Sequence, residues 1–205
     1  MRRILTCLAV LLGFAAAMWA QTPEEIIARM EKAMDPAETQ GMSMVVDFKI
    51  PILGTSSSTV FMLGEMVKSE TTILGHKLVT FSDGTTEWEY DSHSNELTIQ
   101  SVKEKDEGSE AEMFNEIADG YDIKLKKQTA DAWYLECRKS KANTDKDAPD
   151  KMELVVSRKT DLPISLTARM SGVKITLRDV VIGISPSLMH FNPADYPDAK
   201  VIDKR

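Results

Sequence analysis

Cysteine is scarce in this sequence, whose 205 residues include only Cys7 and Cys137. Cys7 lies in an apolar N-terminal stretch that we predict is removed on export, so the remaining chain has no second thiol for an internal disulfide. Cys137 alternates in phase with Trp133 and Leu135. This pattern predicts a small buried side chain rather than a reactive thiol.

Patterns typical of catalytic and metal sites are missing as well. The three histidines, His76, His93 and His190, stand in separate turns or strand ends without a cysteine or second histidine at ligand spacing. No G-x-S-x-G elbow, P-loop or G-x-G-x-x-G motif occurs. The carboxylates are typical of a solvated surface, and Asp83 and Asp91 are expected to shape turns. We therefore predict no metal, no cofactor and no enzymatic activity, and keep a lipid-acting enzyme as a third alternative.

Positive charge is in the minority, because 25 lysines and arginines stand against 32 aspartates and glutamates, a formal net charge of −7. Residues 1–20 contain Arg2 and Arg3 and no acidic residue, so their removal takes the net charge to −9. Such a balance disfavours binding of nucleic acid or of an anionic membrane through bulk charge. No apolar run after residue 20 is long enough to cross a bilayer, so the processed chain is expected to be soluble.

The first twenty residues have the organisation of a secretion signal. Arg2 and Arg3 form a basic start, residues 4–19 are apolar, and Ala20 precedes the expected cleavage point, with cleavage after Ala17 as an alternative. A retained membrane anchor is the competing interpretation, but the stretch is short for a span and no stop-transfer pattern follows. We predict export to the periplasm, removal of residues 1–20, and a single domain over residues 21–205.

The periodicity of the remaining chain predicts a mainly β fold with a little helix. A capping box at Thr22 opens a helix that ends before Pro36, and a second capping box at Ser109 opens a short helix that ends at Gly120. About eleven segments of alternating polarity are joined mostly by short hairpin turns, of which residues 54–58 are expected to be one. So many antiparallel strands in one sheet tend to curl. The prediction is a strongly curved sheet or incomplete barrel whose concave face takes the helices.

The most specific pattern lies at residues 79–99, which read VTFSDGTTEWEYDSHSNELTI. Asp83-Gly84 is a tight-turn dipeptide, and Trp88 and Tyr90 follow on one face of a strand. An apolar strand, Ser-Asp-Gly, Trp-x-Tyr-Asp, a short polar turn and Leu-Thr-Ile together resemble the central signature of the LolA family, periplasmic carriers that ferry lipoproteins to the outer membrane. The resemblance implies an unclosed β-barrel with helices across its mouth and an acyl-chain cavity between them.

Methionine is plentiful after residue 20, and this flexible side chain suits a site that accepts varied apolar shapes. Core packing also explains the methionines, but the LolA resemblance favours a cavity. The predicted acyl-chain lining is Met42, Met44, Val46, Phe48, Ile50, Trp88, Tyr90, Leu97, Ile99, Trp133 and Leu135. The predicted lid is Met113, Phe114 and Ile117. The alternation leaves open which face of each strand is the inner one.

The resemblance implies a monomeric periplasmic carrier that buries the acyl chains of lipoproteins and delivers them towards the outer membrane. Its partners would be an inner-membrane release transporter and an outer-membrane acceptor, with no nucleic acid involved. The alternative is a binding module for another lipid or apolar ligand without lipoprotein sorting, or a module that only binds proteins.

Overall fold

The computed structural model describes residues 21–52, 54–102 and 117–205. The predicted secretion signal and the predicted lid residues Met113 and Phe114 lie outside these ranges. The described helices are α1 (Pro23–Met34), α2 (Ala37–Gln40) and α3 (Ile117–Gly120), with 3-10 turns at Pro186–Leu188 and Pro193–Asp195. The strands are β1 (Met42–Ile50), β2 (Gly54–Leu63), β3 (Met66–Ile73), β4 (His76–Ser82), β5 (Thr86–Asp91), β6 (Glu96–Ser101), β7 (Tyr121–Gln128), β8 (Ala132–Lys139), β9 (Lys151–Ser157), β10 (Pro163–Met170), β11 (Val173–Ile182) and β12 (Lys200–Asp203).

The N-terminal capping box is present as predicted. The Thr22 hydroxyl accepts a 3.2 Å hydrogen bond from the backbone N–H of Glu25, and the Glu25 carboxylate accepts one of 3.2 Å from the N–H of Thr22. Both bonds satisfy amides that the first helical turn leaves without a partner. On the opposite side of α1, Ile26, Ile27 and Met30 are buried against the sheet.

All twelve described strands belong to one sheet, in the order β12-β6-β5-β4-β3-β2-β1-β11-β10-β9-β8-β7. Eleven of these strands form antiparallel pairs, mostly through short hairpins, as the sequence predicts. The sheet is not closed into a barrel. The predicted mainly β fold, an unclosed and largely antiparallel β-barrel with an N-terminal helix, is therefore confirmed.

The sheet departs from the prediction in two places. A twelfth strand, β12, pairs in parallel with β6, so the sheet is not antiparallel throughout. β2 begins at Gly54, which pairs with Ile50, so residues 54–58 form part of a strand rather than a turn. Serines at these positions are tolerated because Ser57 and Thr72 are cross-strand partners and the segment is paired on both sides.

The sheet curves around α1. One buried cluster contains residues of α1 together with residues of seven neighbouring strands, from β2 through β1 and β11 to β7. Seven flat strands would span roughly 29 Å at about 4.8 Å per strand, whereas the 12-residue α1 is only about 18 Å long. A single cluster across all seven strands therefore requires a strongly bent sheet.

Cross-strand pairing assigns each side chain to one of two faces, because directly opposite residues of a ladder point the same way. We call the face on which α1 packs the inner face and the other the outer face. On the inner face, the successive cross-strand partners that start at Met44 on β1 and run across β2–β6 are Val60, Ser69, Thr80, Glu89 and Thr98. From Ser43, the outer row is Phe61, Lys68, Phe81, Trp88 and Ile99. The apolar side therefore changes along the sheet, from inner on β1, β2 and β7–β11 to outer on β4–β6.

An ionic network on the outer face of β8 is centred on Glu136, which is 9% exposed. Arg138 donates a 3.0 Å hydrogen bond to its carboxylate, Lys151 lies 3.1 Å away, and Lys126 lies 3.9 Å away. The bonds from Arg138 and Lys151 lower the pKa of Glu136 from 4.5 to about 2. Because the pKa is lower in the folded protein, this carboxylate stabilises the fold above its unfolded pKa.

We predict that this contribution is lost as the pH falls from 4.5 to about 2. Glu136→Gln should lower the urea midpoint of unfolding at neutral pH and flatten its decline over this acid range. Urea titrations of both proteins at several pH values measure the effect. Glu38→Gln, at an exposed carboxylate that forms no ion pair within the described ranges, is the control. An unchanged acid slope in the Glu136 variant would contradict the assignment.

Candidate apolar binding site

Burial decreases along the inner face towards one end of the barrel. On β1, Met42, Met44 and Val46 are buried, Phe48 is half-buried, and Ile50 is 37% exposed. The first three side chains belong to the buried core cluster that includes α1, Phe48 packs against the margin of this cluster, and Ile50 lies beyond it. The first strand of the sheet therefore runs from a closed core to an open end.

The neighbouring strands continue the same open surface. Phe48 is directly opposite Ile175 on β11, and Met170 at the end of β10 is opposite Val173. All four side chains are half-buried. We call Phe48, Ile50, Met170, Val173 and Ile175 the mouth residues, because they form an apolar inner surface that solvent reaches at this end of the barrel.

The helix α1 extends to the other end. The guanidinium of Arg29 lies 4.6 Å from the ring centroid of Trp133 and 3.4 Å from the carboxylate of Asp161. Trp133 pairs with Val156, next to the turn between β9 and β10. Nε1 of Trp133 and Nε of Arg29 are buried without a hydrogen-bond partner in the described part of the chain. Trp133 and its neighbour Leu135 are therefore core residues near α1 rather than residues of the mouth.

The structure divides the predicted lining residues between the two faces. Seven lie on the inner face. Five of these are buried, namely Met42, Met44, Val46, Trp133 and Leu135, and the other two, Phe48 and Ile50, lie at the mouth. Four lie on the outer face, namely Trp88, Tyr90, Leu97 and Ile99. These eleven residues do not form one continuous wall. Contact of any of them with an acyl chain stays a prediction.

The four outer residues belong to a second apolar cluster, formed with the C-terminal segment. Trp88 stacks on Phe191 with ring centroids 6.2 Å apart, and Phe191 stacks on Tyr196 at 5.3 Å. Tyr196 in turn lies 4.1 Å from Tyr90, and Phe81 lies 5.7 Å from Trp88. We call these five rings the outer aromatic cluster. Val79, Leu97 and Met189 are buried beneath and beside it.

Sequence reasoning missed two groups of residues. Three mouth residues on β10 and β11 were not predicted, although their strands alternate clearly, because only pairing with β1 brings them beside Phe48. The aromatic partners Phe191 and Tyr196 were also missed, since they lie about a hundred positions from Trp88. The sequence did offer one indication of them, because these two aromatic residues stand close together among prolines in a mostly polar C-terminal stretch.

Of the predicted lid, only Ile117 lies within the described ranges. Ile117 begins α3, is fully buried, and packs in the same core cluster as α1. It therefore fixes the last turn of this segment to the inner face next to β7. Whether this segment opens and closes stays a prediction.

The predicted structural roles of the turn aspartates and of the cysteine are confirmed. Oδ1 of Asp83 accepts hydrogen bonds from the N–H groups of Thr86 and Thr85, at 2.7 and 2.9 Å, and these bonds lower the pKa of Asp83. Asp91 accepts a 2.7 Å bond from the N–H of His93. Cys137 is fully buried, and burial raises the pKa of its thiol to about 12.

The mouth residues are apolar, and no metal site is found near them in the described ranges. Within the described residues, no three His, Cys, Asp or Glu side chains lie close enough to hold a metal ion. The five mouth residues themselves carry no polar side chain. The five side chains can exclude water from hydrocarbon.

No helix in the described ranges is long and apolar enough to cross a membrane.

The fold and the site define an unclosed antiparallel β-barrel with a helix inside and an apolar opening at one end. No protein-family model matches the chain, and no curated protein matches it in sequence. Among solved structures, an uncharacterized conserved protein from Thermus thermophilus is similar, with a TM-score of 0.52 and 17% identity over 90% of this chain and 100% of that one. This similarity shows the fold.

Two further solved structures, which align with lower TM-scores, have names that refer to LolA or to lipoprotein sorting. A LolA superfamily protein from Nitrosomonas europaea aligns with a TM-score of 0.33 and 14% identity, over 85% of this chain and 100% of that one. A domain described as an outer membrane lipoprotein-sorting protein, from Vibrio parahaemolyticus, aligns with a TM-score of 0.36 and 12% identity, over 83% and 95%.

Proposed function

We propose that this protein is a periplasmic, non-enzymatic carrier that binds the acyl chains of lipoproteins at the mouth and transfers them towards the outer membrane. The observation that carries the proposal is the open apolar surface of the mouth residues. A protein that used the inner face only for its own core would cover these side chains as it covers Met42, Met44 and Val46. The resemblance of residues 79–99 to the LolA signature supplies the lipoprotein as the class of cargo.

The mechanism is burial of hydrocarbon. Each methylene that leaves water for an apolar surface contributes about 0.8 kcal/mol. The mouth residues supply side chains on three adjacent strands, so a linear chain can lie across the inner face of β1, β11 and β10. Their partial exposure suits a carrier, because a surface that is open at one end binds reversibly and can pass its ligand to the next acceptor.

The alternative is a carrier of another lipid with the same hydrocarbon chemistry. The mouth explains recognition of a tail and says nothing about the group to which the tail is attached. The inner face of β3–β6, which continues from the apolar part of the sheet, is lined by polar residues such as Thr80, Glu89 and Thr98. A polar headgroup and a lipidated peptide are both compatible with this wall.

Native mass spectrometry of the protein purified from a periplasmic extract separates the two. A bound lipidated peptide or whole lipoprotein is the expected result. Bound phospholipid or free fatty acid would support the alternative carrier. A protein that carries no lipid and also fails to bind a fluorescent fatty acid in solution would contradict both.

A further inference from the structure

Two hairpin turns beside the mouth expose large apolar side chains. Ile52 in the turn between β1 and β2 is fully exposed, Leu74 in the turn between β3 and β4 is 79% exposed, and Ile73 next to it is 47% exposed. Ser57 and Thr72 are cross-strand partners, so the two turns lie side by side at one end of the sheet. We call Ile52, Ile73 and Leu74 the apolar tips.

In both turns an apolar residue has a positive φ, a backbone conformation that bulky side chains disfavour. Ile52 has φ of 72°, and Leu74 has φ of 51° followed by Gly75 at 85°. Positive φ is unusual for bulky side chains, and for a β-branched residue such as Ile52 it is an outlier. A two-residue hairpin turn of the Leu74-Gly75 kind normally takes Asn, Asp or Gly first. The corresponding turn between β10 and β11 uses Ser171 there.

Several cations lie near the tips although the whole chain is acidic. Residues 49–55, 73–77 and 169–174, which include three of the turns at this end of the sheet, contain four lysines and arginines and no aspartate or glutamate. The β5–β6 turn and the β8–β9 connection lie at the same end and do contain aspartates, so the positive charge is confined to these three turns. Lys77 lies 3.7 Å from the carboxylate of Glu70. Lys49, Arg169 and Lys174 form no ion pair with any described residue.

Three of these cations are direct neighbours. Arg169 is opposite Lys174 on β11, and Lys174 is opposite Lys49 on β1, so three like charges form one row on the outer face. Like charges directly opposite each other destabilise a sheet. An anionic surface in contact with the row would remove this repulsion.

We propose that the apolar tips insert into an anionic lipid surface, with the row of Lys49, Lys174 and Arg169 contacting its headgroups. Exposed aliphatic side chains flanked by basic ones are typical of segments that enter the boundary between headgroups and acyl chains. The net negative charge of the chain disfavours binding to an anionic surface, so the contact depends on the local row of Lys49, Lys174 and Arg169. The mouth opens at the same end, and a docked protein would present Ile50 and Phe48 close to the bilayer.

Co-sedimentation with vesicles tests the proposal. The wild-type protein without its signal should bind vesicles of phosphatidylcholine containing phosphatidylglycerol and bind pure phosphatidylcholine more weakly. The double variant Ile52→Asp/Leu74→Asp should lose about tenfold or more in affinity for both. Lys49→Gln/Lys174→Gln should weaken binding only to the anionic vesicles and reduce its salt dependence. Val181→Asp, at a residue that is 53% exposed at the other end of the sheet, is the matched control.

Binding of a fluorescent fatty acid in the absence of vesicles distinguishes this proposal from the carrier function, and both double variants should retain it. Wild-type protein that binds neither type of vesicle, or tip variants that bind as well as wild type, would overturn the proposal. Self-association that disappears in the tip variant, measured by light scattering, would instead assign the tips to contact with a second copy and would also overturn it.

Discussion

Replacing Trp88 with alanine is expected to lower the free energy of unfolding by about 3 kcal/mol, the lower end of the range for removing a large packed aromatic side chain. The folded variant should nevertheless bind a fluorescent fatty acid as well as the wild type does. Urea denaturation measures the first quantity, and titration of the probe under native conditions measures the second.

The destabilisation follows from the contacts of the indole ring. Trp88 is in contact range of Phe81 on the adjacent strand and stacks on Phe191 of the C-terminal segment. Its removal leaves Phe191 without its ring contact to β5, and among the described ring contacts only that between Tyr196 and Tyr90 still holds the segment to that strand. The segment that carries β12 to the edge of β6 is then held by fewer contacts, and pairing along that edge weakens.

The unchanged affinity follows from the faces of the sheet. The inner-face neighbours of Trp88 on β5 are Glu87 and Glu89, so the indole points away from the mouth. The LolA signature led to the prediction that Trp88 lines the cavity, and this experiment separates that prediction from the structural role. A variant with wild-type stability and reduced affinity would place Trp88 at the ligand after all.

Tyr90→Phe is the matched control in the same cluster. It keeps the ring stacked against Tyr196 and removes only the hydrogen bond between its hydroxyl and Asn95. The expected loss is about 1 kcal/mol or less, because the bond is exposed. A larger loss in Tyr90→Phe than in Trp88→Ala would contradict the stacking account.

Local patterns were sufficient to predict most of the elements. Thr22 and Glu25 are three residues apart and form their capping box within one helical turn, so their roles require no knowledge of the rest of the fold. The same holds for Asp83, whose carboxylate accepts hydrogen bonds from the backbone N–H groups of Thr85 and Thr86 in its own turn. The predicted strands of β1 and β8 also match, because a two-residue period is a local property of the sequence.

The assignment of faces could not be predicted in the same way. Trp88 and Met44 both alternate with polar neighbours, and each pattern alone indicates an apolar face. Only the chain of pairings from β1 through β2, β3 and β4 to β5 shows that these two faces are opposite. The reason that β5 is apolar on its outer side is the C-terminal segment, whose docking is a contact between distant parts of the chain.

The mouth shows the same limit. Phe48 and Ile50 were predicted from the periodicity of β1, whereas Ile175 joins them through a pairing between the first and eleventh strands. The degree of burial could not be predicted from the sequence either, because Met42 and Phe48 lie on the same face of one strand and follow the same alternation. Met42 lies within the buried core cluster that includes α1, whereas Phe48 only packs against it.

Replacing Phe48 with aspartate is expected to weaken binding of the fluorescent fatty acid by about 30-fold or more. Loss of contact with two or three methylenes, at about 0.8 kcal/mol each, already amounts to about 2 kcal/mol, and that energy corresponds to about 30-fold in the dissociation constant. The introduced carboxylate adds the cost of bringing hydrocarbon against a charge that must keep its water.

The fold should survive this change, because Phe48 is only half-buried and packs at the margin of the core near the end of β1. Circular dichroism and the urea midpoint check this directly. Phe48→Leu, which keeps an apolar side chain at the same position, should restore most of the affinity. Val181→Asp places the same charge on the outer face of β11 at the other end of the sheet and should leave affinity unchanged. If Phe48→Asp remains folded and binds the probe as tightly as Val181→Asp does, the acyl chain does not lie at the mouth, and the carrier function would need a different site.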